Sequence, residues 1–140
     1  MIDPLEAAIK LLIGRAELAP LNGRIANKHK YNESWTTAQS GLVVILDDSE
    51  PNWYVPKQDV RLEVQCFGAD DAAAMDTWMR LIEISRVLNR AAVLTSQGDA
   101  LVYSFLPESG PSYLPDPELT MLSRVLSFWR IQVSENTLQG

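Results

Sequence analysis

An α+β fold is what this sequence predicts: a mainly antiparallel β-sheet with two helices packed on one face. Three observations support it. A capped apolar segment opens the chain, two later segments alternate apolar and polar residues, and a long amphipathic segment follows Gly68 directly. The 140 residues are enough for one domain with its own core, and we assign residues 1–140 to a single domain.

The first helix is predicted to begin at Asp3, whose side chain can cap free backbone amides, with Pro4 at a helical position that suits proline. Glu6 stands where a capping box has its acidic residue. Gly14, or the Ala-Pro pair at residues 19–20, ends this helix. Its apolar face repeats at helical spacing and consists of Leu5, Ile9, Leu12 and Ala16.

Three segments before residue 70 indicate strands. The Asn-Gly pair at residues 22–23 predicts a turn, and residues 23–25 begin a short strand. Residues 42–46 are apolar and β-branched, which is typical of a buried strand. Residues 59–67 alternate, so one face is core and the other meets solvent or a partner. The core face is Val60, Leu62, Val64 and Cys66, and the second face is Arg61, Glu63, Gln65 and Phe67.

A long helix over residues 69–92 and two closing strands complete the fold. Asp70 and Asp71 suit the helix N-terminus. The closing strands span residues 100–106 and 125–133. The apolar stripe of the helix is Met75, Trp78, Met79, Ile82 and Ser85. Its charged face is Asp76, Arg80, Glu83, Arg86 and Arg90.

Two long connections and a tail lie between or beyond these elements. Residues 47–58 form an arm, because hairpin connections usually have about 2–5 residues. Residues 107–117 carry four prolines and form a loop, since proline is excluded from central strands. Residues 135–140 are polar and predicted to fray.

Large apolar side chains in these connections suggest a protein interface. Trp53 and Tyr54 lie in the arm, and Tyr113 and Leu114 lie in the proline-rich loop. Trp and Tyr are typical anchors of interfaces. Either another chain buries these pairs, or each connection folds back on its own sheet. Phe67 and Phe128, together with Leu126, also need a cover on the second face of their strands.

The sequence contains no clear pattern of catalytic or metal-binding residues. We therefore predict no enzyme activity and no cofactor. His29 is the single histidine, in a polar stretch, and Cys66 lies on an apolar strand face. Asp47, Asp48 and Glu50 cluster in the arm, but their spacing does not match a calcium-binding loop. They more plausibly keep an exposed arm soluble.

Charge and hydropathy exclude other classes of protein. The net charge of −6 is unfavourable for gripping DNA or an anionic membrane. The apolar runs are too short to span a membrane, and the first residues do not resemble a signal peptide.

The order of these elements resembles the tail terminator, or tail completion, proteins at the neck of long-tailed bacteriophages. The matching segments are Gly-Arg-Ile at residues 23–25, Gly-Leu-Val-Val-Ile at 41–45, the alternating strand ending in Phe67-Gly68, the helix over 69–92 and the strand over 126–133. The resemblance covers nearly the whole chain. The chain departs from the pattern in its arm and in its proline-rich loop, which leaves open which neck component it is.

The resemblance implies a virion protein assembled in the host cytoplasm. Such proteins form a hexameric ring on the tail tube protein, stop tube growth, and dock onto a head-closure or connector protein. DNA passes through the ring without specific binding, and Asp47, Asp48 and Glu50 are candidates for lining the channel. The alternatives are a head-closure or other neck adaptor, a small ligand-binding α+β domain, and a cellular adaptor unrelated to phages.

Overall fold

A computed structural model describes residues 2–21, 23–27, 40–47, 57–113 and 123–135. The two α-helices in these ranges are α1 (Pro4–Ile13) and α2 (Asp71–Val87), and a 3-10 helix covers Ala16–Leu21. The strands in these ranges are β1 (Ile25–Ala26), β2 (Gly41–Leu46), β3 (Lys57–Gly68), β4 (Ala91–Thr95), β5 (Gly98–Tyr113) and β6 (Ser123–Glu135).

The described strands form one six-stranded sheet in the order β1-β2-β3-β6-β5-β4. β1 pairs with β2 in parallel and all other pairs are antiparallel, so the sheet is mixed but mainly antiparallel. Helix α1 contacts both edge strands, β1 and β4, and the sheet therefore curls around it. The α+β class predicted from the sequence is confirmed.

The core lies between the helices and one face of the sheet. Val60, Leu62, Val64 and Cys66 of β3 are all buried on this face, as their alternation predicts. Trp129 of β6 stacks on Phe105 of β5, with 4.6 Å between ring centroids. The Trp129 indole Nε1 donates a hydrogen bond to Ser127 Oγ at 2.8 Å, so this buried donor is satisfied.

Helix α1 begins and ends where the sequence indicates, but its buried face differs. Asp3 Oδ1 accepts a hydrogen bond from the Leu5 amide at 2.9 Å, and Gly14 is the C-cap. The capping box is wrong: both carboxylate oxygens of Glu6 bind Ser96, in the turn between β4 and β5. The buried residues are Pro4, Ala7, Ala8, Leu11 and Leu12, whereas Leu5 and Ile9 are half-buried and Ala16 is exposed.

Helix α2 is shorter than predicted, and its buried face is displaced by about one residue from the predicted apolar stripe. It ends at Val87 instead of residue 92, and residues 91–95 form strand β4, which the sequence analysis did not predict. Four residues of the charged face are confirmed by ion pairs from Arg80 to Asp76 at 2.9 Å and from Arg86 to Glu83 at 3.5 Å. Arg90, the fifth, lies beyond the end of the helix. The buried residues are Ala74, Thr77, Leu81 and Ile84, and Met79 of the predicted stripe is 46% exposed.

Strand β5 continues through Pro107 and Pro111 to Tyr113, so the predicted loop over residues 107–117 is wrong up to residue 113. Beyond Val102, β5 is paired only with β6, because β4 reaches no further than Val102. Proline is tolerated at such an edge, where no second neighbour needs its missing N–H. The pairing with β6 shifts register between Pro107 and Ser109 and again before Ser112.

Candidate partner-binding face of the sheet

The sheet face opposite α1 and α2 carries a row of polar, charged and aromatic side chains. On β3 this row runs from residue 57 to residue 65 and extends roughly 27 Å at the usual rise per residue. We call it the outer face. Its members on β3 and β6 are Lys57, Asp59, Arg61, Glu63, Gln65, Leu126, Phe128, Arg130 and Gln132.

Two arginines lie directly opposite each other at the centre of the outer face. Arg61 of β3 and Arg130 of β6 are register partners. Like charges in this position destabilise a sheet. Glu108 of β5 lies between them, with Oε2 at 3.1 Å from Arg61 Nε and Oε1 at 2.7 Å from Arg130 Nε. One carboxylate therefore bridges both guanidinium groups and offsets their repulsion.

A β-bulge delivers this bridging carboxylate. Pro107 pairs with Trp129 and Ser109 pairs with Phe128, which leaves Glu108 as an extra residue in β5. Bulges of this kind redirect a side chain by changing the local twist of the strand. The proline and the bulge thus place a negative charge over the β3–β6 pair, next to Ser109, whose Oγ accepts a hydrogen bond from Arg61 Nη2 at 3.3 Å.

Two further carboxylates extend the cluster to the neighbouring strands. Asp47, just after β2, lies 3.3 Å from Arg61 Nη1, and Asp59 of β3 lies 2.9 Å from Arg130 Nη1. The charge cluster is therefore Asp47, Arg61, Glu108, Arg130 and Asp59, with three negative and two positive groups. Its side chains are 24–45% exposed, so they remain within reach of another molecule.

The pKa shifts in the cluster have separate causes. Desolvation has the largest single effect on the pKa of Asp59 and raises it. Hydrogen bonds from Arg130 and Gln132, with the charges of Arg130 and Lys57, together outweigh it and hold the pKa below its ordinary value. Hydrogen bonds to Glu108 and then to Asp59 raise the pKa of Arg130.

Aromatic rings on the outer face are covered by cations. The guanidinium carbon of Arg61 lies 4.3 Å from the ring centroid of Phe128. Near the other end, Lys57 Nζ and the guanidinium carbon of Arg90 lie 4.9 and 5.6 Å from the ring of Tyr103. These distances allow cation–π attraction. The face thus combines apolar area, aromatic rings and both signs of charge, which suits contact with a protein surface.

The structure places some of the sequence-predicted interface residues on this face. Phe128 is half-buried there. Tyr113 at the end of β5 is 51% exposed but pairs with Val125, so it lies on the core side of the sheet and not on the outer face. Phe67 is fully buried within the chain, so its side chain is not available to a partner in this conformation, contrary to the expectation that a partner covers it. Asp47 is held in the charge cluster. Trp53, Tyr54, Leu114, Asp48 and Glu50 lie outside the described residues.

The charge cluster itself was missed by sequence reasoning. Arg61 was assigned to the second face of its strand, but Arg130 and Glu108 were not connected to it. The signal that was present is the alternation of charged residues at Asp59, Arg61 and Glu63 on a strand whose opposite face is core.

Other candidate groups have a structural explanation. Burial raises the pKa of the Cys66 thiol well above its ordinary value, which keeps it in the unreactive form. His29 lies outside the described residues. In the part of the chain that the structure covers, no three His, Cys, Asp or Glu side chains are grouped as they would be to hold a metal ion.

Membrane insertion through a helix is not indicated: among the described helices, none is both long and apolar enough to cross a bilayer.

The comparisons with known proteins give no family for the chain. No protein-family model matches it, and no curated protein matches it.

Proposed function

We propose that this chain is a structural subunit of a phage neck, a tail terminator that forms a hexameric ring on the end of the tail tube. The observation that carries the proposal is the order of elements. A capped helix, a short strand at Ile25, the apolar strand β2, the alternating strand ending at Phe67-Gly68, a helix and closing strands follow one another as in the family that the sequence resembles. Strand β4 is an addition to that order.

The outer face supports a role in assembly. Both α-helices of the described chain pack on the other side of the sheet. Val43, Gln65 and Phe67 are buried on the outer face near β2, so the part exposed to a neighbour is the charge cluster and its surroundings on β3, β5 and β6. Charged and polar groups arranged in fixed pairs give an interface its register and its discrimination against wrong partners. In a cyclic ring such a face meets a different patch on the next subunit, because ring interfaces are head-to-tail.

The direct test is negative-stain microscopy of the purified protein mixed with polymerised tail tubes and, separately, with emptied heads of the phage that encodes it. Rings that cap tube ends are the expected result. Binding to the head vertex alone would instead identify a head-closure or neck adaptor. Binding to neither, with a compact monomer throughout, would contradict the neck assignment and favour a ligand-binding domain.

The arm supplies the second part of the proposal. Trp53 and Tyr54 contact the adjacent subunit or the tube, and replacing both by alanine weakens assembly without loss of the fold. Circular dichroism provides the folding control, and Met79→Ala on the exposed side of α2 is the matched surface variant. Capping of tubes by the double variant at the wild-type level would refute the role of the arm.

Acidic side chains line the channel in this proposal, so that DNA slides past without being held. Asp48 and Glu50, which lie outside the described residues, are two of the candidates. Asp47 is a weaker candidate, because its charge is partly balanced by Arg61 at 3.3 Å. A ring structure with a basic lumen would contradict this assignment.

A further inference from the structure

Strand β4 presents an unpaired edge at one side of the sheet. It is the last strand in the sheet order, and among the described strands only β5 pairs with it. The β4–β5 hairpin has a two-residue turn flanked by the pair Thr95 and Gly98. In such a hairpin the flanking pair exchanges both backbone hydrogen bonds, and the pattern then alternates. The N–H and C=O groups of Ala92 and Leu94 therefore point away from β5.

This edge lacks the prolines, charged side chains and bulges that often block strand pairing, although α1 lies beside it across a groove. Natural edge strands are protected by prolines, charged side chains or bulges. The other open edge of this region, β5 beyond Val102, has two prolines and repeated register shifts. Residues 91–95 are Ala-Ala-Val-Leu-Thr, with regular pairing, no charge and no proline. The sequence leaves this edge competent to accept another strand.

A groove runs beside the edge and is wide enough for a peptide backbone. It has a volume of about 360 Å³ and lies between β4 and the C-terminal half of α1. Gly14, Ala91 and Ala92 line it with little side-chain bulk, so a backbone can approach closely. Leu94, 71% exposed, lies in the groove, and Ile13, 50% exposed, is at the end of α1. They supply apolar contacts for alternate side chains of an added strand.

The charge of the groove indicates the chemistry of its occupant. Lys10 and Arg15 line it, although the chain as a whole has a net charge of −6. Arg15 is paired with Glu17 at 2.8 Å, and the charge of Lys10 acts on Glu6, one turn earlier in α1, whose carboxylate is bound by Ser96. Asp99 is the register partner of Leu94 but belongs to β5, on the far side of β4 from the groove. Both charged residues that line the groove are cations, which favours a negatively charged segment.

We propose that this groove binds an extended, acidic segment of another protein, which adds to β4 as a seventh strand of the sheet. Backbone hydrogen bonds to Ala92 and Leu94 provide the affinity, and Lys10 selects acidic side chains. The inference does not rest on the proposed ring, since it concerns the edge of the sheet and not the outer face.

The test uses a nine-residue peptide of alternating valine and glutamate, labelled for fluorescence anisotropy. A valine and lysine peptide of the same length is the charge control, and the glutamate peptide with N-methylated backbone on alternate residues is the pairing control. We expect at least tenfold weaker binding of both controls, since losing one or two hydrogen bonds of about 1 kcal/mol changes affinity by roughly that factor.

Two protein variants probe the same contacts from the other side. Ala92→Pro removes an outward N–H and no hydrogen bond of the β4–β5 ladder, so the protein should unfold at the wild-type temperature and bind the glutamate peptide at least tenfold more weakly. Lys10→Glu should reverse the preference between the glutamate and lysine peptides. If Ala92→Pro alters folding, the N-methylated peptide still tests the pairing.

Three results would overturn the proposal. These are the absence of binding at 1 mM peptide (an affinity weaker than about −4 kcal/mol), equal binding of the two charged peptides, and equal binding of the N-methylated peptide. A protein that dimerises by itself, and becomes monomeric as Ala92→Pro, would show that a second copy occupies the edge and that the acidic partner is wrong.

Discussion

Replacing Glu108 by glutamine should destabilise the protein by exposing the repulsion between Arg61 and Arg130. The two guanidinium groups are cross-strand partners, and Glu108 contacts both, at 3.1 and 2.7 Å. Glutamine keeps the size of the side chain and removes its charge. The substitution therefore tests the electrostatic bridge with little change in packing.

The expected magnitude follows from three contributions. Each of the two half-exposed ion pairs contributes about 0.2–1 kcal/mol. The uncovered like-charge pair adds an amount of similar size, roughly 0.2–1 kcal/mol. We expect the free energy of unfolding to fall by about 1–2 kcal/mol, and Tm to fall by roughly 3–8 °C for a domain of this size.

Urea unfolding at low and at high salt measures this effect. The loss should shrink in 1 M NaCl, where the screening length is about 3 Å. Glu83→Gln is the matched control, because its pair with Arg86 is 3.5 Å long and more exposed, and it should change stability by less than about 0.5 kcal/mol. An unchanged urea midpoint for Glu108→Gln, or a loss that ignores salt, would refute the bridge.

Three other substitutions or treatments test separate features. Gly68→Ala should lower the free energy of unfolding by about 1–3 kcal/mol, because a Cβ there would lie 2.5 Å from the Ala74 amide nitrogen; an unchanged urea midpoint would contradict the close contact. The pKa of Asp59 is lowered in the folded state, so its contribution to stability is present above the unfolded-state pKa of about 3.9 and is lost as pH falls through the lower folded value. Asp59→Asn should flatten the acid limb of the stability curve, and a limb of unchanged slope would argue against this assignment. Cys66 should react with a thiol reagent only after urea is added, since burial raises its pKa; rapid reaction of the native protein would show that the site opens.

The strands that alternate were predictable because alternation is a local property. Val60, Leu62 and Val64 face the core as the pattern indicates, and so do Trp129 and Ile131 of β6. One face of each strand packs against the helices and the other does not. The two-residue alternation of apolar and polar residues therefore shows which side chains face the core. Helix caps are equally local, which is why Asp3 and Gly14 were placed correctly.

The buried face of α2 was harder to predict, because it is decided by how closely the helix approaches the sheet and not by the size of the apolar side chains. Gly68 lies so near the start of α2 that a Cβ would collide with it. Only small residues fit on the side of the helix that is this close, and Ala74 and Thr77 occupy it. The sequence analysis chose the stripe with the larger side chains, Trp78 and Met79, which lies about one residue further round.

The charge cluster could not be predicted because it depends on strand register. Arg61 and Arg130 are 69 residues apart, and their pairing is fixed by the sheet as a whole. Glu108 reaches them through a bulge, whose position is set by the backbone around Pro107. A proline in the sequence argues against a central strand. It does not show whether an edge strand, such as β5 beyond Val102, continues past the proline or ends there.

The place of β6 in the sheet has a consequence for how the protein is made. This strand, the last of those described along the chain, lies at the centre of the sheet between β3 and β5. A ribosome therefore releases β3 and β5 before the strand that joins them exists. We expect the domain to fold only once β6 has left the ribosome, and chains cut before residue 123 to be degraded in the cell, because β3 and β5 then lack their shared neighbour.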